Sequence, residues 1–138
     1  MSVSLALHDF IIEQLKANED VAAFVSDRIW DNPPSKPEFP YISLGATDTV
    51  RDDADCIRSR DETIQIDVWV REGGRKWPCK EIVDAVVDAL LDVEGELQKG
   101  ALVSLNVGVV RVLDDPDGIT VHGVVQVTAM IDEVFLHG

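Results

Sequence analysis

The side chains able to act as nucleophiles, bases or metal ligands are few and scattered. His8, His122 and His137 share no spacing that matches a ligand set. Cys56 and Cys79 also lack metal-like spacing, and no neighbouring base marks either as a nucleophile. The chain starts M-S-V-S-L-A-L-H-D-F, without a basic opening, and His8, Asp9 and Glu13 interrupt its apolar residues. No export signal is therefore expected, and both cysteines read as free thiols. Glu72-Gly73-Gly74-Arg75-Lys76 superficially resembles an anion cradle before a helix, but it lacks the glycine spacing and Gly-Lys-Ser/Thr ending of a phosphate loop. It reads as a strand-to-helix turn. Asp114, Asp115 and Asp117 lack the ligand spacing and closing glutamate of a calcium loop and read as a β-turn. The sequence points away from an enzyme, and it implies no metal and no cofactor.

A different chemistry is carried by the stretch Arg51 to Glu62, where acids and arginines interleave. As a solvated loop it needs no further explanation. Interleaved opposite charges also make salt-bridged contacts between copies of one subunit and fix their register. Arg51, Asp52, Asp53, Asp55, Arg58, Arg60 and Asp61 are the candidate contact residues. Trp69 joins them because it lies on the polar side of its strand, where a tryptophan is a candidate interface anchor. Trp30 and Trp77 belong to the same class, the alternative being a second layer that covers them within the subunit. The formal net charge is −14. A surface so acidic repels phosphate backbones, which argues against sequence-independent nucleic-acid binding. No apolar run approaches the roughly 20 residues needed to span a bilayer, so no membrane contact is expected.

The elements that would position these residues are readable from periodicity. Val3, Leu7, Phe10, Ile11, Ile12 and Leu15 give a broad apolar face over a helix from about Ser4 to Ala17, with Ser2 or Ser4 as its cap. Asn18-Glu19-Asp20 starts a second, short helix. Four prolines between Asn32 and Pro40 predict a rigid extended connection. Tyr41 to Thr49 reads as a strand, and Arg51 to Glu62 as a long loop or hairpin tip. Ile64, Ile66, Val68 and Val70 alternate with polar residues over Thr63 to Arg71, which is a half-buried strand. Ile82, Val83, Val86, Val87, Leu90 and Leu91 recur at helical spacing after Pro78, a residue tolerated in a first turn. Two further strands, Ala101 to Leu113 and Gly118 to Glu133, flank the turn Asp114-Asp115-Pro116-Asp117-Gly118. The expected fold is α+β, one domain over residues 1–138. It has a mixed or antiparallel sheet of about four strands with helices packed on one face.

Four segments carry a family resemblance: D-R-I-W-D-N-P-P (Asp27 to Pro34), F-P-Y-I-S-L-G (Phe39 to Gly45), D-V-W-V-R-E-G-G-R (Asp67 to Arg75) and R-V-L-D-D-P-D-G-I-T-V-H-G-V-V-Q-V (Arg111 to Val127). In this order, over most of the chain, they resemble the small tail completion, or tail terminator, proteins of long-tailed phages and gene transfer agents. The resemblance implies a structural virion protein that forms a ring, usually hexameric, on the head-proximal end of the tail tube. Such a ring stops tube growth and joins the tube to the head connector or stopper protein. DNA passes through it unbound, and assembly takes place in the bacterial host cytoplasm. The acidic charge would then line a bore that DNA does not stick to. The alternatives are another head–tail connector or adaptor component and, less favoured by the residues, a small enzyme with an unrecognised site.

Overall fold

The computed structural model describes residues 1–53 and 57–133. In chain order the elements are α1 (Val3–Ala17), α2 (Glu19–Val25), β1 (Ile29–Trp30), β2 (Tyr41–Arg51), β3 (Ser59–Arg71), α3 (Trp77–Leu90), β4 (Ala101–Asp114) and β5 (Thr120–Asp132). The strands make one sheet in the order β1-β2-β3-β5-β4. β1 joins β2 in parallel, and every other pairing is antiparallel. The α+β class with helices on one face holds. The sheet has five strands rather than about four, because Ile29 and Trp30 pair with Ile42 and Ser43.

Local chemistry sets the ends of the elements. Ser2 Oγ accepts the Leu5 N–H at 3.0 Å and caps α1, and Asn18 Oδ1 accepts the Val21 N–H at 3.0 Å and caps α2. Each satisfies a donor that a helix start leaves without a partner. α3 opens with Pro at its start, where no N–H is needed. The turn between β4 and β5 is closed by Asp117, whose Oδ1 accepts the N–H groups of Ile119 and Thr120 at 2.9 and 2.8 Å. Gly118 follows it at φ 75, a conformation that a side chain would strain. The turn meets the β3–α3 loop: a Cβ on Gly74 would sit 3.0 Å from the Gly118 carbonyl oxygen.

One parity of each strand forms the core. Ile42 and Leu44 of β2, Ile64, Ile66, Val68 and Val70 of β3, and Val121, Val125, Val127, Ala129 and Ile131 of β5 face the helices. Leu7, Ile11 and Leu15 of α1, Val21 and Val25 of α2, and Ile82, Val83, Val86 and Leu90 of α3 complete it. Leu91, placed on that face by its spacing, lies just past the end of α3 and is exposed. The opposite face of the sheet carries the other parity of the same strands.

The predicted loop from Arg51 to Glu62 is shorter in the structure. β2 continues to Arg51 and β3 starts at Ser59. Asp52, just past β2, donates its N–H to the Ser59 carbonyl at 3.0 Å. Polar residues hide this extension from the sequence: Asp48, Thr49 and Arg51 pair with Thr63, Glu62 and Arg60 without any apolar alternation.

Candidate functional site

Of the eight candidate residues, those that the structure describes lie near the tip of the β2–β3 hairpin, except Trp69, which lies toward the other end of β3. The residues near the tip form an ion-pair network. Arg51 reaches Glu133 at 2.8 Å and Asp53 at 2.9 Å. Arg60 donates to the same Glu133 carboxylate through Nε at 2.7 Å and also through Nη2. Its Nη1 lies 3.1 Å from Glu62 Oε1. Ser4 of α1 and Thr49 of β2 donate to that Glu62 oxygen at 2.8 and 3.2 Å. Glu62 is buried, and its other oxygen has no hydrogen-bond partner among the described residues.

Electrostatics follow from these contacts. Hydrogen bonds from Arg51 and Arg60 hold the Glu133 carboxyl below the usual carboxylate range. The hydrogen bond from Arg51 does the same for Asp53. Burial works against the charge of Arg60, but its bonds to Glu133 and Glu62 outweigh that and raise its pKa. The network fastens the hairpin to the end of β5 and to the start of α1. Arg60 is thus mainly an internal tie, and Arg51 and Asp53 are exposed members of the same tie. Asp52 and Arg58 are exposed beside them, and Asp55 lies outside the described residues.

Asp61 and Trp69 share the sheet face that the helices leave uncovered, opposite Met130 and His122 of β5. They are eight residues apart, about 27 Å along an extended strand. Trp69 is half-buried there in an aromatic row that crosses four strands, from β1 to β5. Its ring stacks on His122 at 3.9 Å and an interplanar angle of 8°, and lies 6.3 Å from Tyr41. Trp30 and Phe39 pack on Tyr41 from the far side at 5.6 and 5.0 Å. Arg71 caps Phe39 with its guanidinium carbon 4.4 Å above the ring. The Trp69 indole N–H donates to Ser43 Oγ at 3.0 Å. Asp67 binds the ring of His122 at 2.7 Å and accepts from Gln65 at 2.8 Å. Beside this row, Val109, Arg111, Leu113 and Val124 border a shallow trough of about 290 Å³.

On this face aromatic rings and hydrogen-bonded polar side chains stand side by side. Sequence reasoning singled out Trp69 but missed Tyr41, His122, Phe39 and Arg71 around it. The one available signal was that His122, like Trp69, lies off the apolar parity of its own strand. Trp77, by contrast, is 62% exposed at the start of α3.

The other chemical candidates have structural places. Cys79 is buried in α3 against Gly123, and burial pushes its thiol up to about 11. His8 lies 3.2 Å from Asp9 and 3.2 Å from Asp31. Cys56 and His137 lie outside the described residues. Among the described residues no group of three or more His, Cys, Asp or Glu is placed to hold a metal ion, and no helix is long and apolar enough to cross a membrane.

Acidic charge gathers on the helix side. Asp20 of α2 and Glu81, Asp84 and Asp88 of α3 line a trough of about 330 Å³ between these two helices.

Comparison with known proteins agrees with this architecture. No curated protein sequence matches the chain. Among solved structures, a chain of the virion of a native gene transfer agent (GTA) particle superposes with a TM-score of 0.88 at 23% identity, covering 95% of this chain and 98% of its own. The gp17 protein of bacteriophage SPP1 superposes with a TM-score of 0.61 at 19% identity, covering 98% of this chain and 93% of its own. At these identities the likeness is one of fold. The family described as "Tail completion protein gp17" matches residues 10–132, nearly the whole chain. The chain belongs to that tail completion protein family.

Proposed function

We propose that this chain is a structural virion protein that closes a ring of six copies on the head-proximal end of a tail tube. The ring stops tube growth and presents the surface to which the head connector or stopper protein joins. Membership of the tail completion family carries this reading. The fold shared with a chain of a gene transfer agent virion supports it. Termination is then a matter of shape: one side of the ring matches the last layer of tube protein, and the other does not. Identical subunits close a ring through head-to-tail contacts. Assembly takes place in the host cytoplasm, and the finished ring remains in the virion tail.

The charged hairpin tip (Arg51, Asp52, Asp53, Asp55 and Arg58) and the face bearing Asp61 and Trp69 are the contact regions in this reading. Arg60 contributes by holding the tip in place. DNA passes through the ring without being held. An acidic bore would repel it, and the carboxylates between α2 and α3 are candidates to line it.

The experiment is to add purified protein to tail tubes that lack their head-proximal cap and to image the ends by negative stain. Light scattering on the same sample gives the mass. The expected result is capped tubes of fixed length and a ring of about 91 kDa, six times the 15.2 kDa chain. Tubes that stay open and keep growing overturn the proposal. Binding to the connector alone makes the chain an adaptor instead.

A further inference from the structure

The sheet has two free edges, and they match. β4 is the outer strand on one side along its whole length. On the other side β1 covers β2 only at Ile42 and Ser43, which leaves Gly45 to Arg51 uncovered. An edge strand offers a row of main-chain donors and acceptors, and proteins usually blunt it with lysine, proline or inward charge. β4 has no lysine or proline, and it has no charged residue from Ala101 to Val110. Val103, Val109 and Val110 are 52%, 46% and 44% exposed. In a chain of net charge −14, two register irregularities are all that guard this uncharged stretch of edge.

Register sharpens the match. β4 is irregular between Leu102 and Ser104 and again between Val107 and Val110, so Ser104 to Val107 is a regular run between two bulges. Followed across the sheet, Ser104 lies level with Met130, Asp61 and Val50. Val107 lies level with Val127, Ile64 and Thr47. The regular part of one edge, Ser104 to Val107, therefore stands at the height of a regular part of the other, Thr47 to Val50. Direction agrees as well. β2, β3, β5 and β4 alternate, so β4 runs opposite to β2, and a second copy set beside it in the same orientation continues the antiparallel order.

We propose that Ser104 to Val107 of one copy pairs antiparallel with Thr47 to Val50 of the next, so that the sheet runs on from subunit to subunit. This rests on the ring reading and names the contact that would build it. The join is heterologous, using a different edge on each copy, which is the kind of contact that closes into a ring. Val50 and Ser104 lie on the same sheet face, as do Asp48 and Asn106 one pair further along. Asn106 of one copy then faces Asp48 of its neighbour.

The test uses the full chain with Cys56→Ser. In Val50→Cys/Ser104→Cys, directly opposed antiparallel residues have Cα atoms about 4.5–5.5 Å apart, inside the roughly 4.4–6.8 Å that a disulfide spans. Oxidation should give a ladder of covalent oligomers ending at a closed ring, while each singly substituted variant, whose other thiol is the buried Cys79, stays monomeric on a non-reducing gel. A covalent dimer from Ser104→Cys alone means that β4 pairs with β4, and overturns the proposal. So does the absence of any crosslink.

Charge supplies an independent readout. Asn106→Asp should weaken assembly and Asn106→Lys should not, with a difference of about fivefold at most per interface and no change in monomer melting. Equal effects of the two count against the pairing. Rings that still cap tubes without crosslinking would sink the edge contact and leave the ring reading intact. Uncapped tubes with wild-type protein would sink the ring reading itself.

Discussion

β4 and β5 are neighbours joined by a tight turn, and both read as alternating apolar strands. They live in different surroundings. β5 lies between β3 and β4, and Val121, Val125, Val127, Ala129 and Ile131 are fully buried. Of the four valines of β4 from Val103 to Val110, three are exposed and Val107 is only partly covered, while Leu105 alone in the strand is buried. Period-2 alternation therefore tells which side chains share a face. It does not tell whether a strand has one neighbour or two, because strand order depends on pairings between distant segments.

The largest break in this comparison is side-chain truncation. Ile131→Ala in β5 should cost about 2–5 kcal/mol, read as a lowered midpoint in urea unfolding. Val103→Ala in β4 should cost less than about 0.5 kcal/mol in the same assay. Equal losses would mean that β4 is covered in the isolated subunit and that the edge is not free.

Overpacking comes next. A Cβ on Gly123 of β5 would sit 2.5 Å from Val83 Cγ2 and 2.9 Å from Cys79 Sγ, whereas one on Gly108 of β4 would meet only the Gln126 carbonyl oxygen at 3.6 Å. Gly123→Ala should destabilise by about 1–3 kcal/mol as α3 is pushed from the sheet. Gly108→Ala should leave the thermal midpoint within a few degrees of wild type.

The smallest effect sharpens the contrast through pH. Glu133, just past β5, has a lowered pKa in the folded chain. Its contribution is therefore complete above the ordinary carboxylate range and is lost as pH falls through the lowered folded value. Amide exchange, corrected for its intrinsic pH dependence, should show the β5 end near Asp132 loosening on acidification, while Val110 to Leu113 of β4 stays unchanged. A uniform response along both strands would contradict the assignment.

Much of the fold was legible because its core obeys simple periods. α1, α3, β3 and β5 each show one apolar face, and Asn18 and the Asp114–Gly118 turn announce themselves chemically. β1 was not legible as part of the sheet, since two residues carry no period and their partners are more than ten residues away. The distal half of the β2–β3 hairpin was hidden for another reason. Its pairs are polar or charged, and a buried glutamate such as Glu62 looks like surface charge in a sequence. The candidate site shows the same limit. Arg51, Asp53 and Arg60 read as a charged contact cluster, and the structure adds that they tie the hairpin to the residue after β5, and through Glu62 to α1, which only the strand pairing reveals. Trp69 was legible as off-core, but the stack on His122 needed the β3–β5 register.

Cys79 gives the molecule a built-in clock. Its thiol is enclosed between α3 and the sheet and is held in the protonated, unreactive form. A thiol reagent can reach it only when α3 lifts away. Its labelling rate therefore measures how often the helix layer parts from the sheet. Comparing free protein with assembled rings would show whether assembly slows the breathing of each subunit.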